Sequence, residues 1–390
     1  MVSSSAAYLM GGPSSSTRKY LRFREVLTMS QDGATIAVDW EIPRRQADGS
    51  NNNLDDFKLK SNILHGRIKK PVVIILHGIN NDASFGYMRS LQRTFCDRGW
   101  NAASMNFRGT AIPMTTPRGY NGAFTAGRMA PGASIFLVGN SLGANIMTKY
   151  LGEEGLAHTL PKCVAGGVSL GNPLLINSAV VKFPFDILMA LGVKKIYFEN
   201  FKSVLAIKDE HSRQSLRNGF LASTLAKFDD ATAPIFIRND TYYPFAIKIG
   251  YRNGEHYWFD ASSFRHVAHI SVPFLNLTAQ DDFLVSRPSR NKLGYCIGNP
   301  NVMVVETRCG GHLGWQESPP EGGGISSWAD VAAADFFDAV MSANAESSTG
   351  NERDTIDLVV PPEASCALKI DLDQIKGDAS SFSQTIKSRL

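Results

Sequence analysis

The chain has 390 residues, 43% of them hydrophobic and 19% charged, with a net charge of +4. That length accommodates one large α/β domain with an insertion, or two domains, and a mild charge without a block of like sign excludes a dedicated nucleic-acid binder. Five scattered cysteines (Cys96, Cys163, Cys296, Cys309 and Cys366) argue against a disulfide framework and for a reducing compartment, and no apolar run reaches the roughly 18 residues that a membrane-spanning helix needs.

In chain order, Met1 to Arg24 is Ser-rich and basic, with no acid before Glu25; an organelle-targeting segment and a disordered start are the two alternatives. Arg24 to Glu41 predicts a hairpin, two β-rich runs around Gln31-Asp32-Gly33. Residues 44–68 are polar and Asn-rich and predict an exposed loop. Pro71 to Leu76 is a continuous apolar run and predicts a fully buried strand, ending at His77-Gly78. Tyr87, Met88, Leu91 and Phe95 mark a helix that stops before Gly99. Trp100 to Phe107 predicts the next strand. A parallel sheet then needs a crossover helix before Ile135. Only Ala123 to Met129 could supply it, and that stretch is short and holds Gly127.

Ile135 to Val138 predicts another buried strand. It runs into Gly139-Asn140-Ser141-Leu142-Gly143, and Leu142, Ile146, Met147 and Tyr150 follow at helical spacing. Strand, tight turn and helix are the context of a G-x-S-x-G nucleophile elbow. Val164 to Leu170 is the next predicted strand. Residues 175–270 interrupt the strand–helix alternation and predict a cap inserted over the sheet; within it Ile187 to Leu191 is assigned to core packing in preference to an acyl pocket. Alternation resumes with strands at Val272–Thr278 and Val302–Glu306 and a final amphipathic helix over Trp328–Met341. From Ser342 the chain is polar and irregular, the pattern of a disordered tail. The domain plan is thus 1–23, a core over 24–174 and 271–341, a cap over 175–270, and a tail over 342–390. The fold class is α/β, with a mostly parallel, doubly wound sheet.

Three strand ends present Ser141, then a carboxylate, then His312. A serine hydroxyl becomes a nucleophile when a histidine takes its proton and a carboxylate holds that histidine in one tautomer. Ser, acid, His is the α/β-hydrolase order. The acid is Asp281 or Asp282. Asp282 is preferred because it stands three after Ala279, where related strands end in a small residue, and just before Phe283-Leu284-Val285. His312 is the one histidine that follows the acid; His77 ends a strand and is either structural or part of the oxyanion site. Cys309 and His312 form a C-x-x-H pair, but no second pair at ligand spacing accompanies it, so no metal is expected. The oxyanion donors should be backbone N–H groups, one on Leu142 and one on Ile79. No G-x-G-x-x-G follows the first buried strand, which excludes a dinucleotide-binding enzyme.

The same residues resemble a known family, the YheT-like or embryogenesis-associated branch of the α/β-hydrolases, related to abhydrolase-domain lipases and phospholipases. The stretches that carry the resemblance are Asp39-Trp40, Leu76-His77-Gly78, Gly99-Trp100 through Gly109, Thr116-Pro117-Arg118, Gly122 to Thr125, Gly139 to Asn145, Lys149 to Glu153, Phe228-Asp229-Asp230, Ala261-Ser262-Ser263, Asp281-Asp282 and Gly310 to Trp315. The resemblance implies nucleophile Ser141, acid Asp282 and base His312, acting on carboxylic esters that include acylglycerol and phospholipid esters, with no cofactor. It implies a lipid or small-molecule ester as partner; the motifs say nothing of oligomeric state. Peripheral membrane contact through the cap is a further expectation, and the scattered cysteines point to an intracellular, cytoplasmic address, with organelle targeting by the N-terminal segment as the alternative. Some members of the lipase group carry an N-terminal membrane anchor, and none is expected here. Two departures stand out. The family follows His-Gly with a small, Gly-containing loop, where this chain has Ile79-Asn80-Asn81-Asp82. It also carries a full helix before the nucleophile strand, where this chain lacks at least about 10 residues, the minimum for a crossover. The competing readings are an α/β-hydrolase-fold binding protein without turnover and an acyltransferase that passes the acyl group to an alcohol.

Overall fold

The computed structural model of the protein describes residues 19–29, 32–44, 52–65, 67–117, 119, 122, 133–235, 250–290, 298–317 and 326–349. The chain divides into Met1–Asn344 and Ala345–Leu390; the fold below is that of the first unit. The targeting alternative for residues 1–18, the candidate crossover helix Ala123–Met129 and the tail beyond residue 349 lie outside the described residues.

The apolar runs form the inner strands of one eight-stranded sheet. The strands are β1 (Tyr20–Thr28), β2 (Thr35–Pro43), β3 (Val72–Leu76), β4 (Asn101–Met105), β5 (Ile135–Asn140), β6 (Val164–Leu170), β7 (Phe274–Ala279) and β8 (Val302–Thr307). Their spatial order is β1-β2-β4-β3-β5-β6-β7-β8. β1 and β2 are an antiparallel hairpin with Thr28 opposite Thr35; its turn closes through Gly33, whose φ of 71° suits glycine. β2 also runs antiparallel to β4, and every pair from β4 to β8 is parallel. This is the α/β-hydrolase fold, with the hairpin as an antiparallel edge.

Because strand side chains alternate, the parallel strands feed two cores. Val73, Ile75, Phe136 and Val138 point to one face, where Phe95 and Phe337 pack with them. Those two phenylalanines come from α2 (Gly86–Asp97) and α10 (Trp328–Thr349). Val72, Leu76, Ile135 and Leu137 point to the other face, against Ile63, Ile146 and Leu151, supplied by α1 (Asn52–Leu64) and α3 (Leu142–Ala157). Burying one such aromatic or aliphatic side chain contributes about 1.5–3 kcal/mol, so the continuous apolar runs are what fix the strands at the centre.

Two sequence expectations are corrected. The loop predicted over 44–68 contains α1, which Asp55 in the first turn favours; Ile63 anchors it in the core, while Phe57, 70% exposed, obscures the pattern. The last helix runs to Thr349 rather than ending at Met341, since Ala343, Ala345 and Glu346 are good helix formers. Between β6 and β7 lie α4 (Phe185–Glu199), α5 (Phe201–Leu205), α6 (Glu210–Leu221), α7 (Leu225–Thr232) and α8 (Gly254–Ala261), and α9 (Arg287–Arg290) follows β7. No helix of the described residues is long and apolar enough to cross a membrane.

Candidate active site

Ser141 stands between the end of β5 and the start of α3, at φ 53° and ψ −115°. A non-glycine residue there is strained, which costs on the order of 1–3 kcal/mol and persists only where the surroundings enforce it. They do so tightly. A Cβ on Gly139 would fall 2.4 Å from the Ala144 Cα, and one on Gly143 would fall 2.5 Å from the His77 carbonyl oxygen. Both glycines are therefore steric requirements of the turn. The Ser141 N–H donates to the Leu170 carbonyl at 2.8 Å, and the Asn140 side chain donates to the Leu76 carbonyl at 3.1 Å, so the turn is tied to both neighbouring strands.

The other two strand ends bring their groups to it. His312 Nε2 lies 2.9 Å from Ser141 Oγ, and His312 Nδ1 lies 2.9 Å from Asp282 Oδ2. An ionised carboxylate can only accept, so Nδ1 carries the proton and Nε2 is left to accept from the serine. All three groups are buried, at 7%, 3% and 8% exposure for Ser141, Asp282 and His312. Asp282 Oδ1 accepts the N–H groups of Leu284 and Val285 at 2.8 and 2.9 Å. Burial alone would raise this carboxyl, but the hydrogen bond and charge of His312, helped by those two N–H groups, outweigh it and hold it below the ordinary carboxylate range. Asp281, the alternative acid, faces elsewhere: it is exposed, and its Oδ1 accepts the Gly311 N–H at 2.8 Å. It braces the loop that delivers His312.

His77 is a strut. Its Nδ1 lies 2.7 Å from the Gly78 carbonyl and its Nε2 accepts the Phe107 N–H at 3.0 Å, joining the loops after β3 and β4. Burial pushes its pKa down to about 4, so it is neutral at physiological pH. Cys309 is an exposed thiol, and both ring nitrogens of its C-x-x-H partner are engaged by Asp282 and Ser141.

Ile79 and Leu142 line one cavity with Ser141. Leu142 opens α3, so its N–H has no intrahelical partner. In the loop after β3, Asn80 takes the left-handed conformation, φ 62°, which asparagine tolerates better than most residues. Its Nδ2 donates to the Met189 carbonyl at 2.9 Å, so the asparagine holds a conformation that favours glycine and ties the loop to α4. The rest of the cavity is mostly aliphatic and aromatic: Ile176, Val180, Met189, Val193 and Phe228 among others, with Asp229 between them. The core assignment of Ile187 to Leu191 is corrected here: Ala190 is buried, but Met189 lines the cavity and Leu188 and Leu191 are 55% and 56% exposed. Tyr197 and Asp229 carry no role in the sequence reading. The signal for Asp229 was the acidic pair directly after Phe228 in a helix with an apolar face.

No family model matches the chain. It is similar to the embryogenesis-associated protein EMB8 of Picea glauca, 27% identical over 361 residues, 87% of this chain and 70% of that one. It is similar to a monoacylglycerol lipase of Saccharomyces cerevisiae, 31% identical over 280 residues, 67% of this chain and 57% of the lipase. It is also similar to phospholipase ABHD3 of Mus musculus, 26% identical over 308 residues, 76% of this chain and 67% of the mouse protein.

Proposed function

We infer, for a chain that belongs to the embryogenesis-associated and abhydrolase-domain branch of the α/β-hydrolases, the hydrolysis of carboxylic esters through Ser141, His312 and Asp282. The observation that carries this is the unbroken chain of two 2.9 Å contacts from Ser141 Oγ through the imidazole to Asp282. His312 removes the Ser141 proton as Oγ attacks the ester carbonyl. The N–H groups of Leu142 and Ile79 hold the oxyanion; one such donor is worth about 100-fold or more in turnover. His312 then protonates the leaving alcohol, and water activated by the same imidazole releases the acid from the acyl-enzyme. The step is closed without a metal or organic cofactor.

The substrate is a lipid or small ester, in keeping with the names of the yeast and mouse relatives. Residues 175–270 act as a cap: Lys182 Nζ donates to the Asp282 carbonyl at 2.6 Å, and Met189, Val193 and Tyr197 of α4 wall the cavity. The cap also meets lipid surfaces. Phe183 and Phe198 are 79% and 70% exposed, with Leu191, Phe201 and Leu205 also exposed, beside exposed Lys195 and Lys202. Sedimentation with phosphatidylcholine vesicles should retain the wild type and lose Phe198→Glu; equal retention removes the lipid contact.

The test of the hydrolase assignment is labelling with a fluorophosphonate probe. Wild type should label and Ser141→Ala should not. A folded wild type that does not label ends the assignment.

A further inference from the structure

Among the described residues the lining of the cavity beside Ser141 is apolar apart from Ser141 itself, the tyrosines Tyr197 and Tyr257, and one carboxyl that the proposed chemistry does not use. Asp229 lies on α7 among Leu225 and Phe228, and it lines the cavity together with Ser141 and Leu142. The Trp258 indole N–H donates to its Oδ2 at 3.2 Å. Among the described residues, Oδ1 has no hydrogen-bond partner and the carboxyl has no ion pair. Its neighbour Asp230 is used differently, accepting the Gly254 N–H at 2.7 Å and standing exposed.

A polar group inside an apolar wall is normally satisfied, and a buried charge is normally paired. Asp229 is half-buried, accepts one hydrogen bond and has no ion pair among the described residues, and it lines the cavity that holds Ser141. We propose that Asp229 is a specificity-determining residue that hydrogen-bonds a hydroxyl group of an uncharged ester seated at Ser141. The inference rests on the hydrolase assignment above. Burial pushes the Asp229 carboxyl up to about 7, against the pull of the Trp258 hydrogen bond; near neutrality it is therefore available both as acceptor and, when protonated, as donor, which matches a hydroxyl on either count. A phosphate in the same place would meet a carboxyl that no cation offsets among the described lining residues, so the pocket favours neutral hydroxyl-bearing esters over anionic ones. Sites built to bond a substrate hydroxyl discriminate strongly against analogues lacking it, because the protein group is then left unpaired.

The hydroxyl has two chemical sources, the alcohol side or the acyl side of the ester. Three probes separate them: 1-monooctanoylglycerol, ethyl 8-hydroxyoctanoate and ethyl octanoate. The readout is the ratio of kcat/KM for each hydroxyl ester to kcat/KM for ethyl octanoate, in wild type, Asp229→Leu and Asp229→Asn. For one of the two hydroxyl esters, Asp229→Leu should lower the ratio about 10-fold or more, and Asp229→Asn, which keeps an acceptor oxygen, should restore most of it. The ester that responds identifies the side. Should Asp229→Leu not label with fluorophosphonate, Asp229→Ala takes its place. Ratios that stay constant across the variants, including a uniform fall in all three esters, overturn the inference while leaving the hydrolase assignment standing. A wild type that hydrolyses none of the three and fails to label overturns both.

Discussion

Replacing Asp282 by Asn separates the orienting role of this carboxylate from its structural one. The carboxylate accepts three hydrogen bonds, from Leu284 and Val285 at Oδ1 and from His312 at Oδ2. An amide can keep its oxygen on the two backbone N–H groups, so the turn loses little, on the order of 1 kcal/mol. Its NH2 then faces His312 Nδ1. Two donors cannot share that contact, so Nδ1 must become the acceptor and the ring proton moves to Nε2, the atom that has to take the Ser141 proton. The imidazole is held in the wrong tautomer. The expected loss in kcat is about 10⁴-fold, on the order of 5 kcal/mol of barrier. Steady-state hydrolysis of a p-nitrophenyl ester reads it, with urea unfolding as the control for folding. Asp281→Asn should cost less than about 10-fold, because its oxygen can still accept from the Gly311 N–H. A loss below about 10-fold in Asp282→Asn, or a larger loss in Asp281→Asn, refutes the assignment of the acid. The depressed carboxyl of Asp282 also contributes stability that is present above the ordinary carboxylate pKa and disappears as pH falls through its folded value; the Asn variant should lack that acid sensitivity.

Three further outcomes follow from the packing. Gly143→Ala drives a methyl group to within 2.7 Å of both the Leu76 and His77 carbonyl oxygens; it should destabilise the fold by at least about 1–3 kcal/mol and abolish fluorophosphonate labelling, and a labelled, wild-type-stable protein contradicts the steric account of the elbow. Lys149 is fully buried on α3, paired with Glu153 and, at 3.3 Å, with Asp260; Lys149→Met removes the cation from two buried carboxylates and should cost about 3–5 kcal/mol in urea unfolding. Asp229 titrates in the opposite sense to Asp282: burial raises its folded pKa from 3.8 to about 7, so the folded state binds the proton more tightly and stability falls as pH rises between about 4 and 7. The stability of Asp229→Asn relative to wild type should climb across that window, by up to about 4 kcal/mol, and a difference independent of pH rules out the raised carboxyl.

What the sequence made legible is what is encoded over short distances. β3 and β5 are buried on both faces, so they read as unbroken apolar runs, and the glycines at 139 and 143 sit where a Cβ would strike backbone within the same turn or its neighbouring strand. The hairpin of β1 and β2 announced itself through Asp32-Gly33. The order of the strands is different in kind. Nothing in β2 itself says that it lies antiparallel beside β4; that pairing is set by which apolar faces remain to be covered once the sheet assembles. The choice between Asp281 and Asp282 is also a matter of fine geometry. The two residues are adjacent and alike in sequence, and a turn in which the Asp282 N–H donates to the Ala279 carbonyl at 3.3 Å sends one carboxylate inward to the imidazole and the other outward to the Gly311 amide.

The helices between β6 and β7 were the hardest part to read, and α4 shows why. An amphipathic pattern appears when one face of a helix meets a core and the other meets water. α4 has apolar residues on both sides: Met189, Val193 and Tyr197 face the cavity, and Leu188, Leu191 and Phe198 stand exposed. With apolar residues on each side through Leu188–Val193, periodicity cannot say which side is inward, and that stretch reads as an apolar run suited to core packing. The same ambiguity is functional if the exposed side meets lipid, because the helix then has an apolar environment on each face and no pressure to carry a polar stripe. Asp229 is the complementary case. A single acid on the apolar side of α7 breaks the expected pattern where that side, with Leu225 and Phe228, meets a cavity as well as core, and such violations are where a substrate, rather than the protein, completes the packing.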